Sequence, residues 1–137
     1  MTEVECVRLL AARHLGRLAT IVDHAPRVTP VNYRWIASAV EFCSQPGTKR
    51  DALSRSRVAF EIDEFDVVAH TGWSVQVVGW AAPCSLEGAG ADAAAVPWCG
   101  LPDDPEWFRI HADLVTGRRI VRAPTSTEPE RRPFDVT

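Results

Sequence analysis

Trp73-Ser74-Val75-Gln76-Val77-Val78-Gly79-Trp80-Ala81-Ala82 is the longest stretch of this chain with a period of two. Trp73, Val75, Val77 and Gly79 share one face, and Ser74, Gln76, Val78 and Trp80 the other, as a β-strand requires. Arg57 to Asp63 alternates in the same way, with Val58, Phe60 and Ile62 set against Ala59, Glu61 and Asp63. Toward the N-terminus, Arg17 to Val22, Arg27 to Trp35 and Val40 to Ser44 read as strands. Toward the C-terminus, Trp107 to His111 and Arg118 to Arg122 read as two short ones. Asp23-His24-Ala25-Pro26 supplies turn residues. Glu64-Phe65-Asp66 and His70-Thr71-Gly72 read as a connection. Six or seven short strands at regular spacing predict an antiparallel barrel or sandwich. A doubly wound sheet needs a helix after most strands, and few helices are legible here.

Three helices are expected. Thr2-Glu3-Val4-Glu5 is a capping box, followed by Val4, Val7, Leu10 and Ala11 at helical spacing, with Gly16 closing the segment. Thr48 caps a second short helix to Arg55. Ala89 to Val96 is alanine-rich and suits a third. Pro97 to Pro105 reads as a loop. Residues 1–123 are expected to form one domain and 124–137 a loose tail.

The 137 residues are 46% hydrophobic and 24% charged, enough for one core. No apolar run reaches the roughly 18 residues of a membrane span. Met1-Thr2-Glu3-Val4-Glu5 has no positive n-region, so a cytoplasmic protein is the expectation. Fifteen Lys and Arg against 18 Asp and Glu leave a net charge of −3, without the basic surplus of a nucleic-acid binder. Lys49 is the sole lysine. Cys6, Cys43, Cys84 and Cys99 form no CxxC pair, and His14, His24, His70 and His111 are scattered, so no metal site is expected. Gly88-Ala89-Gly90-Ala91-Asp92-Ala93 matches GxGxxA but lacks the βαβ unit that a dinucleotide fingerprint needs. No phosphate-binding GxxxxGK loop and no GxSxG elbow is present.

Three segments carry possible chemistry. The first is Phe42-Cys43-Ser44-Gln45-Pro46-Gly47-Thr48-Lys49-Arg50, where a strand gives way through a turn to a helix start. Helix N-termini favour anions, and Ser44, Thr48, Lys49 and Arg50 add hydroxyls and charge suited to a phosphate. A capped helix with solvated basic residues is the other reading. The second is Pro30-Val31-Asn32-Tyr33. Its proline marks an edge, a bulge or a place where backbone meets something other than a strand, and Asn32 sets an amide toward a cleft for a planar heterocycle. The third is Gly72-Trp73-Ser74-Val75, a flat apolar wall beside a hydroxyl, or simply a core tryptophan.

Gly16-Arg17-Leu18-Ala19, Pro30-Val31-Asn32-Tyr33, Phe42 with Gly47-Thr48-Lys49, Val58 to Asp63, Gly72-Trp73-Ser74-Val75 with Gly79, and Thr116-Gly117-Arg118-Arg119-Ile120 occur in this order. The ordered set, over residues 3–122, resembles the pyridoxamine 5′-phosphate oxidase-like family of flavin-binding proteins. The resemblance implies a mainly β fold, a six-stranded antiparallel split β-barrel with a few short helices. It also implies a homodimer with FMN at the interface. The FMN phosphate then falls to Ser44, Gly47, Thr48 and Lys49. The ring lies along Pro30, Val31, Asn32 and Tyr33, with Trp73 and Ser74 near it. Trp107 and Arg118-Arg119 pack near the interface. Cys43 stands where arginine is common and Arg50 where an apolar residue is frequent, which weakens the phosphate grip. The sequence lacks the longer, arginine-rich C-terminal segment of true pyridoxamine phosphate oxidases.

A flavin carries its own redox chemistry, so no acid–base pair need appear in the chain. The expected function is an FMN-dependent oxidoreductase of the flavin-reductase or nitroreductase kind, acting on a small organic substrate. The alternatives are an F420-binding reductase of the same fold, or a flavin- or ligand-binding dimer without turnover.

Overall fold

The computed structural model describes residues 1–44, 49–85 and 105–122. The elements run α1 (Glu3–Ala12), β1 (Leu15–Val22), β2 (Ala25–Ile36), β3 (Ala39–Ser44), α2 (Lys49–Leu53), β4 (Ser56–Asp66), β5 (Thr71–Cys84) and β6 (Glu106–Ile120). All six strands are antiparallel and close in the ring order β1-β2-β3-β6-β5-β4. The expected six-stranded mainly β barrel is therefore what forms.

Alternation along each strand fills the barrel. Leu18, Val31, Tyr33, Val40, Phe42, Val58, Phe60, Ile62, Val75, Val77, Phe108 and Ile110 are buried together. Fully burying a side chain of this size stabilises by about 1.5–3 kcal/mol. Tyr33 meets Phe60 edge-on at 4.7 Å, and Phe42 stacks on Phe108 at 5.6 Å. α1 lies against this core through Cys6 and Leu10. The capping box forms as the sequence predicts: Glu5 N–H donates to Thr2 Oγ1, and Thr2 N–H donates to Glu5 Oε2 at 2.8 Å. These bonds, with Arg119 beside the carboxylate, hold Glu5 down to about 2.

The barrel is split because two strands divide their pairing. Residues 25–32 of β2 pair with β1, whereas 33–36 pair with β3. β6 pairs with β5 along its length, but with β3 only over 106–111. Pro26 and Pro30 fall in the half of β2 that leans on β1 alone, opposite Ile21 and Arg17. Proline has no N–H to give a neighbouring strand, so these positions suit an edge.

Several boundaries differ from the sequence reading. α1 ends at Ala12, and Gly16 is not its C-terminal glycine but a β1 residue opposite Val31. A Cβ on Gly16 would lie 2.2 Å from the Phe60 ring, so glycine is there for close approach. The connection expected over residues 64–72 is only the turn 67–70, because the two strands extend into it. Trp107–His111 and Arg118–Arg122 are not two strands: β6 is one strand of 15 residues. The break in the sequence pattern is a bulge. Val78 pairs with Leu114 and Gly79 with Ala112, so Asp113 is extra. Inward positions therefore change from even (Phe108, Ile110, Ala112) to odd (Val115), and the alternation looks interrupted. α2, Lys49–Leu53, stops short of the expected end at Arg55, and its expected cap, Thr48, lies outside the described residues. The helix expected at 89–96 and the tail expected from 124 lie outside the described residues.

Gly79 sits opposite that bulge, inside the barrel, where a Cβ would fall 1.8 Å from the His111 carbonyl oxygen. Backbone cannot yield there without parting β5 from β6. Gly79→Ala is expected to cost about 3 kcal/mol. Urea unfolding should show a lower midpoint at an unchanged slope.

Candidate functional site

The β2–β3 ladder stops at Tyr33–Phe42, one residue beyond Asn32 and two before Ser44. Pro30-Val31-Asn32 and Ser44 leave the β2–β3 ladder at the same end, the first toward β1 and the second paired with β6. Their side chains divide. Val31 and Tyr33 point into the core. Tyr33 O–H donates to the Leu10 carbonyl at 2.8 Å, and burial pushes its phenol up. Pro30 is exposed, and Asn32 lies on the side of the strand away from the core, half-buried with its Oδ1 shielded from solvent. Tyr33 N–H donates to His14 O at 2.9 Å, on the β1 side. A strand residue sends its N–H and C=O the same way, so Pro30 and Asn32 turn their backbone polar groups away from β1. A heterocycle with donors and acceptors on its edge fits this side of β2, where prolines discourage a further strand.

Ser44 is buried and pairs with Glu106 across the β3–β6 ladder. Gly47 and Thr48 lie outside the described residues, and Lys49 opens α2. With five residues, α2 has little dipole to offer an anion. Arg50 Nη1 is 2.6 Å from Glu106 Oε1, so its charge is spent within the chain. Arg50, Cys84, Glu106 and Trp107 line a cleft of about 280 Å³.

Trp73 and Ser74 lie elsewhere on the barrel wall. Trp73 packs on the core, with the Arg13 guanidinium 5.6 Å from its ring centre and Arg13 Nη2 2.5 Å from Glu64. Ser74 faces outward, between Asp63 and Arg118. The β1–β4 ladder covers only Arg17–Glu61 to Ala19–Ala59. Beyond it the strands part around a cleft of about 280 Å³ that includes Leu15, Pro30, Ile62 and Asp63, spanned by an Arg17–Asp63 ion pair at 2.7 Å. Asn32 pairs with Leu15 on one bank and Ser74 with Asp63 on the other. Two strands, β1 and β4, and the cleft between them separate Asn32 from Ser74. Asn32 and Ser44 lie just past the same end of the β2–β3 ladder, and Trp73-Ser74 lies across the β1–β4 gap.

The sequence reading missed the anchor of this region. Glu41 is 1% exposed, yet it lies on the outer side of β3. Arg34 donates to its Oε2 at 2.6 Å, and Arg109 donates to its Oε1 through Nε at 2.8 Å and through Nη2. All three are in register across β2, β3 and β6. Burial pushes Glu41 up, but the bonds and charges of Arg109 and Arg34 more than offset this and hold it below the usual carboxylate value. Cys84 lies close enough that burial, and then the Glu41 charge, raise its thiol. One acid inside Val40-Glu41-Phe42 was the available signal: a charge in a buried strand needs a partner. Among the described residues no cluster of His, Cys, Asp and Glu can hold a metal.

The sequence profile of the family described as Pyridoxamine 5'-phosphate oxidase matches residues 2–119. This chain belongs to that family. The family resemblance seen in the sequence and the split barrel thus agree. An uncharacterised protein of Mycobacterium tuberculosis is 32% identical to this family member over 125 residues, covering 85% of this chain and 82% of the relative. Among solved structures, a FAD binding protein from Mycobacterium smegmatis superposes with a TM-score of 0.74 at 32% identity, covering 90% of this chain and 98% of that one. A FAD-binding protein from Mesorhizobium loti gives 0.73 at 26% identity, with 89% and 96% covered. Among the described residues no helix is long and apolar enough to cross a membrane.

Because the folded-state pKa of Glu41 is depressed, the triad's contribution is fully present above the ordinary value of 4.5 and is lost as pH falls through the lower folded value. Glu41→Ala is expected to cost about 1.5–3 kcal/mol near neutral pH, the two arginines being partly able to rehydrate. The difference between variant and wild type should shrink as pH drops below that value, read from denaturant midpoints.

Proposed function

We propose that this chain is a flavin-nucleotide-binding protein that works as a homodimer, and that it is an oxidoreductase for a small organic substrate. The observation that carries the reading is the β1-averted side of Pro30–Asn32, past the same end of the β2–β3 ladder as Ser44, on a barrel that belongs to this family. FAD is the first candidate, because both structural relatives above are described as FAD-binding. FMN, and F420 after it, are the alternatives from the sequence.

In this reading the flavin ring lies along Pro30, Val31, Asn32 and Tyr33. Its phosphate end is held by the segment from Ser44 through Gly47, Thr48 and Lys49. The bound flavin supplies hydride and electron transfer. The chain supplies orientation: the Asn32 amide and β2 backbone groups bond the ring edge, and the rigid core under Val31 and Tyr33 keeps that strand flat. The dimer part of this reading is supported by the family resemblance: Trp73 and Ser74 lie across the β1–β4 gap from Asn32, and a second copy would let one site use both segments.

A visible absorption spectrum, taken as purified and again after loading with FAD or FMN and removing the excess, tests this. Retained flavin bands support the reading, and turnover with a reductant and an electron-poor organic acceptor separates an enzyme from a carrier. No bands with FAD or FMN, and no F420 bound, overturn it. Asn32→Ala is expected to weaken flavin binding by roughly three- to tenfold, the size of one neutral hydrogen bond. Fluorescence titration reads this change.

A further inference from the structure

Ser44 ends β3 in register with Glu106, and Arg50 follows Lys49 in α2. The cleft of about 280 Å³ that Arg50 and Glu106 border therefore opens directly beside the segment assigned above to the flavin phosphate. Its wall comes from β5 and β6: Cys84 is in register with Trp107, and Pro83 with Phe108. Phe108 is buried and ties this wall to the core. Cavities that take whole small-molecule ligands run to about 300–1,000 Å³, so this one suits a fragment the size of a nucleoside.

The lining has the chemistry of such a fragment. Trp107 offers an aromatic surface, and a purine has a π-face that stacks on one. Pro83 and Phe108 add apolar surface, and burial keeps the Cys84 thiol in its neutral form. Arg50 Nη1 lies 2.6 Å from Glu106 Oε1, so the two charges cancel and the cleft favours an uncharged polar guest over a further anion. Glu106 Oε2 is shielded from solvent and meets no donor among the described residues. A shielded carboxylate oxygen calls for a donor. A ribose brings two neighbouring hydroxyls, which an acidic side chain accepts in dinucleotide sites.

We propose that this cleft holds the adenosine half of FAD, and that the chain thereby selects FAD over FMN. The proposal rests on the flavin reading above. FMN ends at its phosphate, whereas FAD continues through a second phosphate to adenosine, and the cleft opens where that continuation leaves the Ser44–Lys49 segment. The adenine stacks on Trp107. The Glu106 carboxyl turns its unmet oxygen to the ribose hydroxyls, and Arg50 holds that carboxyl in place. Neither Trp107 nor Glu106 touches the flavin ring in this arrangement, so both act on the choice of nucleotide and not on its redox chemistry.

Calorimetric titration of the full chain with FAD, FMN and ADP tests this. The wild type is expected to bind FAD about tenfold or more tightly than FMN, and to bind ADP alone. Trp107→Ala should cut the FAD-to-FMN affinity ratio by about fivefold or more, the size of one lost base stack, and should abolish ADP binding. Trp107→Phe keeps a flat ring and should hold the ratio within about threefold, a rescue that a merely structural role would not show. Glu106→Ala should also lower the ratio by about threefold or more, the loss of a hydrogen bond to a charged group. Reading the ratio cancels any gain in phosphate binding from the freed Arg50, and Glu106→Ala decides the matter if Trp107→Ala does not fold by far-UV circular dichroism. A wild-type ratio near one, or variants that weaken FAD and FMN alike, overturns the adenosine site and leaves the flavin reading standing. ADP bound in a Trp107-dependent way, with neither flavin bound, upholds the cleft as an adenosine site and removes the flavin reading. Binding of none of the three overturns both.

Discussion

Glu41 is a carboxylate almost wholly removed from water, with a guanidinium from the strand on each side of it. Ring closure of the barrel depends on β3, which is six residues long and joins β2 to β6. A strand so short gives few ladder bonds. Val40 and Phe42 fasten its inner side, and Glu41 fastens its outer side to Arg34 and Arg109. Removing either arginine leaves the buried Glu41 charge short of a partner, whereas removing Glu41 leaves two partly exposed arginines that water can reach. The place where β3 ends, and hence where Ser44 and the segment after it leave the wall, is fixed by that fastening.

The division of β2 follows from the same short strand. Because β3 pairs with only four residues of β2, the remaining eight lean on β1 alone. Prolines at 26 and 30 keep that side from becoming a docking edge for any stray strand. The fold thus creates a length of rigid, outward backbone beside a chain reversal. A packed core holds it in place from beneath, through Val31 and through Tyr33 bonded to α1.

Most of this architecture was legible in the period-two patterns. Val58 to Asp63 and Trp73 to Ala82 have one face buried and one not, and that contrast is written in the residues. The legible parts stop where tertiary geometry overrides local pattern. Asp113 shifts the parity of β6, so one strand reads as two. Gly16 looks like a helix terminator, but its missing side chain makes room for Phe60. The site was partly legible. Pro30 announced a strand edge, in the half of β2 that leans on β1 alone. Glu41 passed unnoticed because its partners are 7 residues before it and 68 after, a pairing that only the register reveals. The separation of Ser74 from Asn32 is a property of ring order, which no local pattern encodes.

The thiols carry a consequence of a different kind. A cysteine attacks oxidants as its thiolate, and a group held protonated reacts slowly. Burial raises Cys6 under α1, and burial with the nearby Glu41 charge raises Cys84. Cys6 lies where conversion to a sulfinic or sulfonic acid would force a new charge into packed core, whereas Cys84 borders the cleft beside Arg50 and Glu106. Burial of Cys6 beneath α1 thus keeps its thiol away from solvent-borne oxidants, and the helix contact that it makes with the barrel is shielded with it.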